Sequence, residues 1–153
     1  MAPSMTPGPL AIVSQSGQLG SELAAIGSSH GLGVSRFISI GNQTDVTATE
    51  LLADLAGHDA TGVIALYLES FTDGATLFDT LAALRSRGKP SVLLTVGASI
   101  ASARLARTHT GSLTSPSDVV DAVCRAAGVV RVNTPGHEAR DFAQSGLTPT
   151  LGR

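Results

Sequence analysis

The stretch richest in chemistry is Arg107-Thr108-His109-Thr110-Gly111-Ser112-Leu113, one histidine among hydroxyls and a glycine. Such a loop surrounds an imidazole with backbone N–H groups and hydroxyls. That suits an anion beside the ring better than it suits a buried core. Two other short segments share this character. Ser14-Gln15-Ser16-Gly17 closes the apolar run Leu10–Val13, and Glu69-Ser70 closes Gly62–Leu68. If Ser16, Gly17 and Gln18 open a helix, its unpaired N–H groups and positive dipole end favour a bound phosphate. Gly17 then lets the backbone approach the ligand. Glu69 at a strand end can accept a hydrogen bond from one nitrogen of His109, fixing the tautomer and leaving the other nitrogen free as a nucleophile.

Each segment also has a plain structural explanation. Ser14-Gln15-Ser16-Gly17 equally suits an ordinary turn with a serine N-cap, and Glu69 alone suits a surface carboxylate. His30, His58 and His137 stand beside Gly31, Gly57 and Gly136, as solvated or helix-end histidines do. Cys124 falls on an apolar helix face, as core packing. Arg104 and Arg107 serve as solvated helix charges or as anion contacts.

The elements that must position these residues follow from hydrophobic patterning. Leu10–Val13, Phe37–Ile40, Gly62–Leu68, Ser91–Val96 and Val129–Val132 are short continuous apolar runs, the pattern of strands buried on both faces. Between them the period turns helical. Gly17–Ser29 carries Leu19, Leu23 and Ile26 on one stripe. Leu51, Leu52 and Leu55 follow a cap at Asp45 or Thr47. Gly74–Arg87 carries Leu77, Phe78, Leu81 and Leu84, and Gly88-Lys89-Pro90 breaks it. Ser99–Arg107 reads as a short helix leading into the His109 loop, and Asp118–Ala127 as the last clear one. Residues 1–8 form a flexible lead, 9–133 the domain, and 134–153 a tail with at most one short helix, near Glu138–Gln144.

Alternating strands and helices predict an α/β, doubly wound, flavodoxin-like sheet of about five parallel strands in the order 2-1-3-4-5. Ligands of such sheets bind beyond the carboxyl ends of the strands, at the switch point between the first and third. The Ser14–Gly17, Glu69 and His109 segments all lie beyond strand ends on that edge, so they converge on one site.

Composition narrows the function classes. The 153 residues suit a single domain, 42% hydrophobic and only 14% charged. A net charge of −2 and a pI near 6.0 give no electrostatic case for nucleic acid or an anionic membrane. With no Trp, one Tyr and four Phe, there is little to stack on bases or to sandwich a flavin. Cys124 is the single cysteine, so a reducing cytoplasm is the expected location. No Cys/His spacing suits a metal. Met1–Pro9 lacks the basic and apolar regions of a signal peptide, and no apolar run reaches the roughly 20 residues of a membrane helix.

Four motifs carry a resemblance. Gly8-Pro9-Leu10-Ala11-Ile12-Val13-Ser14-Gln15-Ser16-Gly17 resembles the opening of the succinyl-CoA-ligase-like flavodoxin domain found in NDP-forming acyl-CoA synthetases and in the succinyl-CoA synthetase alpha subunit. Ser39–Val46, Leu66–Ser70 and Thr108–Leu113 resemble its next signatures, in order, and the similarity runs from about Gly8 to Asn133. The resemblance implies that His109 is transiently phosphorylated and that Glu69 orients it. It implies that Ser16, Gly17 and Gln18, with Thr110 and Gly111, hold the phosphate, and that Asn42 and Ser14 are accessory. The implied reaction converts acyl-CoA, phosphate and NDP to carboxylate, CoA and NTP, reversibly. This makes the chain part of an acid-thiol ligase, as an excised domain or a subunit, inactive alone in the full reaction.

No tightly bound cofactor is expected. CoA, the nucleotide (ATP or ADP) and Mg²⁺ would be held by partners, a CoA-binding domain and an ATP-grasp domain or subunit, and a homo-oligomer is compatible with this. Two departures stand out. Thr95-Val96-Gly97-Ala98 occupies the place of the family's usual Lys-Ala-Gly-Arg, removing two positive charges, and Thr114-Ser115-Pro116-Ser117 differs from the usual Ala/Gly-rich segment. Two alternatives remain: a non-catalytic regulatory domain of a synthetase-like protein acetyltransferase, and an FMN carrier using Ser14–Gly17 as its phosphate loop. A phosphoacceptor receiver domain would need an aspartate where Glu69 stands.

Overall fold

The computed structural model describes residues 5–95 and 117–132. The chain runs β1 (Pro7–Ser14), α1 (Gly17–Ser29), β2 (Val34–Ser39), α2 (Ala48–Ala56), β3 (Val63–Leu68), α3 (Gly74–Ser86), β4 (Ser91–Thr95), α4 (Ser117–Ala127) and β5 (Val130–Val132). The strands form one parallel sheet in the order β2-β1-β3-β4-β5, as the sequence predicts. The expected helices over Ser99–Arg107 and Glu138–Gln144 lie outside the described residues.

Strand alternation divides the core in two. Leu10, Ile12, Val63, Ala65, Tyr67, Val92 and Leu94 pack with Leu23 and Ala24 of α1. Ala11, Val13, Ile64, Leu66, Leu68 and Leu93 pack with side chains of α2, α3 and α4. Every residue of β3 is buried, which explains its unbroken apolar run. A fully buried Leu or Ile in such a strand contributes about 1.5–3 kcal/mol. Helices therefore cover both faces, and the chain reverses its direction across the sheet between β2 and β3. That places the switch point between β1 and β3.

Local signals set the helix ends. Thr47, rather than Asp45, caps α2 in a reciprocal capping box with Glu50. Asp73 caps α3 by accepting from the Thr76 N–H. The helices α1, α3 and α4 are followed by Gly31, Gly88 and Gly128, each at positive φ.

Two strands depart from expectation. β1 begins at Pro7 and β2 at Val34, both earlier than the apolar runs suggest. There the Gly8 and Gly33 backbones are in direct contact, so that a Cβ on either would overlap the other's main chain. This contact accompanies a shift in β1–β2 register between Pro7 and Leu10. β2 is an edge strand with half-buried residues, so its amino end carries no apolar run to announce it.

Candidate active site

The carboxyl ends of β1, β2 and β3 are level, with Ser14 beside both Ser39 and Tyr67. Just beyond them the chain enters α1 through Gln15 and Ser16. Ser14 is fully buried, and its hydroxyl serves its own turn. Oγ donates to the Ser16 carbonyl at 2.6 Å and accepts from the Ser16 N–H at 3.1 Å. This brace holds Ser16 in the extended conformation of an N-cap, where its Oγ accepts from the Leu19 N–H at 3.3 Å. Gly20 lets α1 sit close over the strands: a Cβ there would lie 3.0 Å from the Phe37 ring and 3.1 Å from Ser14 Cβ.

The N–H groups of Gly17 and Gln18 belong to the first turn of α1, which has no intrahelical acceptor to offer them. Both residues are exposed. Among the described residues α1 is also the helix whose N-cap and first turn carry no carboxylate. Glu50, Asp73 and Asp118 occupy those places in α2, α3 and α4. With free N–H donors and no acidic competitor, the start of α1 is suited to an anion.

Glu69 is fixed at both its main chain and its carboxylate. Its N–H donates to Gln15 Oε1 at 2.6 Å, and the Ser70 N–H donates to the same oxygen at 3.1 Å. Gln15 Nε2 in turn donates to Ser70 Oγ at 3.4 Å, and the Gln15 N–H donates to the Tyr67 carbonyl at 3.0 Å. On the side-chain end, the Tyr67 hydroxyl donates to Glu69 Oε1 at 3.0 Å. Burial pushes the Tyr67 phenol well above its ordinary value of 10, and the charge and hydrogen bond of Glu69 add to that. Tyr67 is therefore a protonated donor at any neutral pH.

From the β2–α2 loop, Gln43 completes the frame. Its Nε2 donates to the Ser70 carbonyl at 3.1 Å, while its Oε1 accepts from the Ala48 N–H at 3.0 Å. Gln43 is buried and has a φ of 57°, a left-handed backbone conformation unusual for a residue other than glycine. Its neighbour Asn42 is exposed.

The structure thus brings the Ser14–Gly17 turn and Glu69 together through Gln15, and links both to the β2–α2 loop through Gln43. Gln15, Gln43 and Tyr67 are the residues that sequence reasoning passed over. All three lie inside the motifs that carry the resemblance, but their partners are distant in sequence or depend on a strand end. His109, Thr110 and Gly111 lie outside the described residues.

Thr95 stands at the carboxyl end of β4. Its Oγ1 accepts from Arg131 Nη2 at 3.0 Å and Nε at 3.3 Å, and Arg131 Nη1 pairs with Asp121 at 2.7 Å. The Arg131 side chain is only 7% exposed. A guanidinium from β5 therefore approaches the strand end where Thr95 replaces the expected lysine.

Residues 7–144 match the succinyl-CoA ligase like flavodoxin domain. The chain belongs to this family. This succinyl-CoA-ligase-like flavodoxin domain is 35% identical, over 91% of its length, to the alpha subunit of ADP-forming acetate–CoA ligase I of Pyrococcus furiosus, spanning 30% of that protein. It is 34% identical, over 89% of its length, to the ADP-forming 4-hydroxybutyrate–CoA ligase of Nitrosopumilus maritimus, spanning 20% of that protein. Among solved structures it is similar to the dinucleotide-forming acetyl-coenzyme A synthetase 1 of Ca. Korarchaeum cryptofilum in complex with phosphate and ADP. The TM-score is 0.77 at 28% identity, covering 86% of this chain and 28% of that one. The domain thus spans under a third of each of these relatives. No helix among the described residues is long and apolar enough to cross a membrane.

Proposed function

We propose that this domain is the phosphohistidine carrier of an NDP-forming acyl-CoA synthetase. In the direction of nucleotide synthesis, a nitrogen of His109 attacks the phosphorus of an acyl phosphate. The bond from phosphorus to the acyl oxygen breaks, and the carboxylate leaves with the electron pair. A terminal phosphate oxygen of NDP then attacks the same phosphorus, the N–P bond breaks, and NTP forms. Glu69 accepts from the other imidazole nitrogen, holding the ring in the reactive tautomer and stabilising its positive charge during transfer. The N–H groups of Gly17 and Gln18, with Ser16, Thr110 and Gly111, hold the phosphoryl oxygens.

CoA, the nucleotide and its Mg²⁺ are bound by partner domains or subunits. The enzyme works in the cytoplasm, and the isolated chain does not complete the reaction.

The observation that carries this proposal is the pairing of a rigidly held Glu69 with a carboxylate-free, exposed helix N-terminus on one sheet edge. The similarity to ADP-forming ligases supports it. The test is phosphorylation of the protein by labelled NTP in the presence of its nucleotide-binding partner. Wild type should take up label and His109→Ala should take up none while keeping its far-UV circular dichroism; label that survives His109→Ala refutes the assignment.

The loss of the usual lysine at Thr95 favours a second reading, a non-catalytic regulatory domain. On that reading, wild type takes up no label under the same conditions.

A further inference from the structure

We propose that Tyr67 is a positioning residue for the phosphoryl carrier: its hydroxyl holds Oε1 of Glu69 so that Oε2 is the oxygen offered to His109. The proposal rests on the reading of Glu69 as the partner of His109. A glutamate has two side-chain torsions before its carboxylate and can present either oxygen. A single donor at 3.0 Å, from a ring whose position is itself locked, removes that freedom. Tyr67 is locked because it is 4% exposed, packed among Ile12, Leu23 and Leu94 of the α1-side core, and carried on a fully buried strand. Gln15 fixes the Glu69 backbone from the other side, through the N–H groups of Glu69 and Ser70. Main chain and carboxylate are thus set by different residues, and among the described residues it is Oε1 of the carboxylate that has a hydrogen-bond partner.

Tyr67 is the only tyrosine in a chain without tryptophan, so the tyrosine spectrum is that of this one residue. The first arm uses the chain as it is. Glu69→Gln should change the tyrosine fluorescence and near-ultraviolet spectrum and lower the pH at which the phenol ionises. An unchanged spectrum and titration would mean the contact does not form, and would overturn the proposal whatever His109 does.

The second arm measures phosphorylation of His109 by NTP in the assembled enzyme. Tyr67→Phe removes one oxygen and keeps the ring. It should slow phosphorylation about tenfold, the effect of one lost hydrogen bond to a charged group, with the KM for NTP unchanged. In a Glu69→Gln background the same change should have almost no further effect. A wild-type rate in Tyr67→Phe, or equal slowing in both backgrounds, would overturn the positioning role. Phosphorylation that is indifferent to Glu69→Gln itself would overturn the reading beneath it, together with this proposal.

Discussion

Gln15 is the residue on which the geometry of the site edge most depends, and replacing it by methionine isolates that dependence. Methionine keeps the length and much of the volume of glutamine but offers no comparable acceptor. Three hydrogen bonds are lost: from the N–H groups of Glu69 and Ser70 to Oε1, at 2.6 and 3.1 Å, and from Nε2 to Ser70 Oγ, at 3.4 Å. The last is long and counts for little. The first two are worth about 1 kcal/mol each, and the two N–H groups they leave behind are half-buried, so water recovers part of the loss. The expected cost is about 1–2 kcal/mol in chemical denaturation, or roughly 2–8 °C in Tm for a domain of this size. Amide exchange gives the local signature. Exchange of the Glu69 and Ser70 N–H groups should accelerate at least tenfold more than that of the β3 core, because the loop opens without the strand. A loss below about 0.5 kcal/mol, with unchanged exchange at both amides, would refute the claim that Gln15 fastens β1 to the Glu69 turn.

Gly33→Ala should destabilise the fold by about 2 kcal/mol or more, because the new Cβ meets the Pro7 carbonyl and the Gly8 backbone nitrogen, which cannot rotate aside; a denaturation midpoint within error of wild type would contradict this. Cys124 is 1% exposed, and burial pushes its thiol from 9.0 to about 11, so thiolate-directed labelling at pH 8 should run about a hundredfold or more slower in the native protein than in urea. Hydrogen bonds from Thr47 hold the Glu50 carboxyl below its ordinary 4.5, and those from Thr76 hold the Asp73 carboxyl below 3.8. Both are lowered in the folded state, so their stabilisation is present above those ordinary values and is lost as pH falls through the folded ones. The urea midpoint should therefore decline as pH falls below these ordinary values, and less steeply in Glu50→Gln/Asp73→Asn.

The fold is legible in the sequence because its strands are buried on both faces and its helices are not. Gly62–Leu68 announces β3 as an uninterrupted apolar run, and Leu19, Leu23 and Ile26 announce α1 by period alone. β2 is harder, since an edge strand need not be apolar; its amino end is set by the Gly8–Gly33 backbone contact, which no local pattern encodes. The same division holds for the site. Ser16 and Glu69 stand out because they end apolar runs in places where strand ends collect ligands. Gln15 and Tyr67 do not stand out: one reads as a turn residue and the other as core. The role of Gln15 arises only when β1 and β3 pair and bring residues 54 and 55 positions apart into hydrogen-bond range, and that of Tyr67 from the end of β3, where Glu69 follows two positions on. Gln43 is similar, with a buried amide that reaches Ser70 from a loop 27 positions away. Thr95 shows the converse: it carries no charge itself, yet the guanidinium of Arg131 approaches that strand end from the next strand.

The most direct test of phosphoryl transfer through His109 is to locate the phosphate. The protein is incubated with its nucleotide-binding partner and γ-labelled ATP, digested with trypsin at neutral pH, and mapped by mass spectrometry. The peptide Thr108–Arg125 contains His109 and no other histidine, which makes the assignment unambiguous. Transfer through His109 predicts one acid-labile, base-stable phosphate on that peptide, discharged when ADP is added in excess. Label on another peptide, an acid-stable label, or label that ADP does not remove would contradict it.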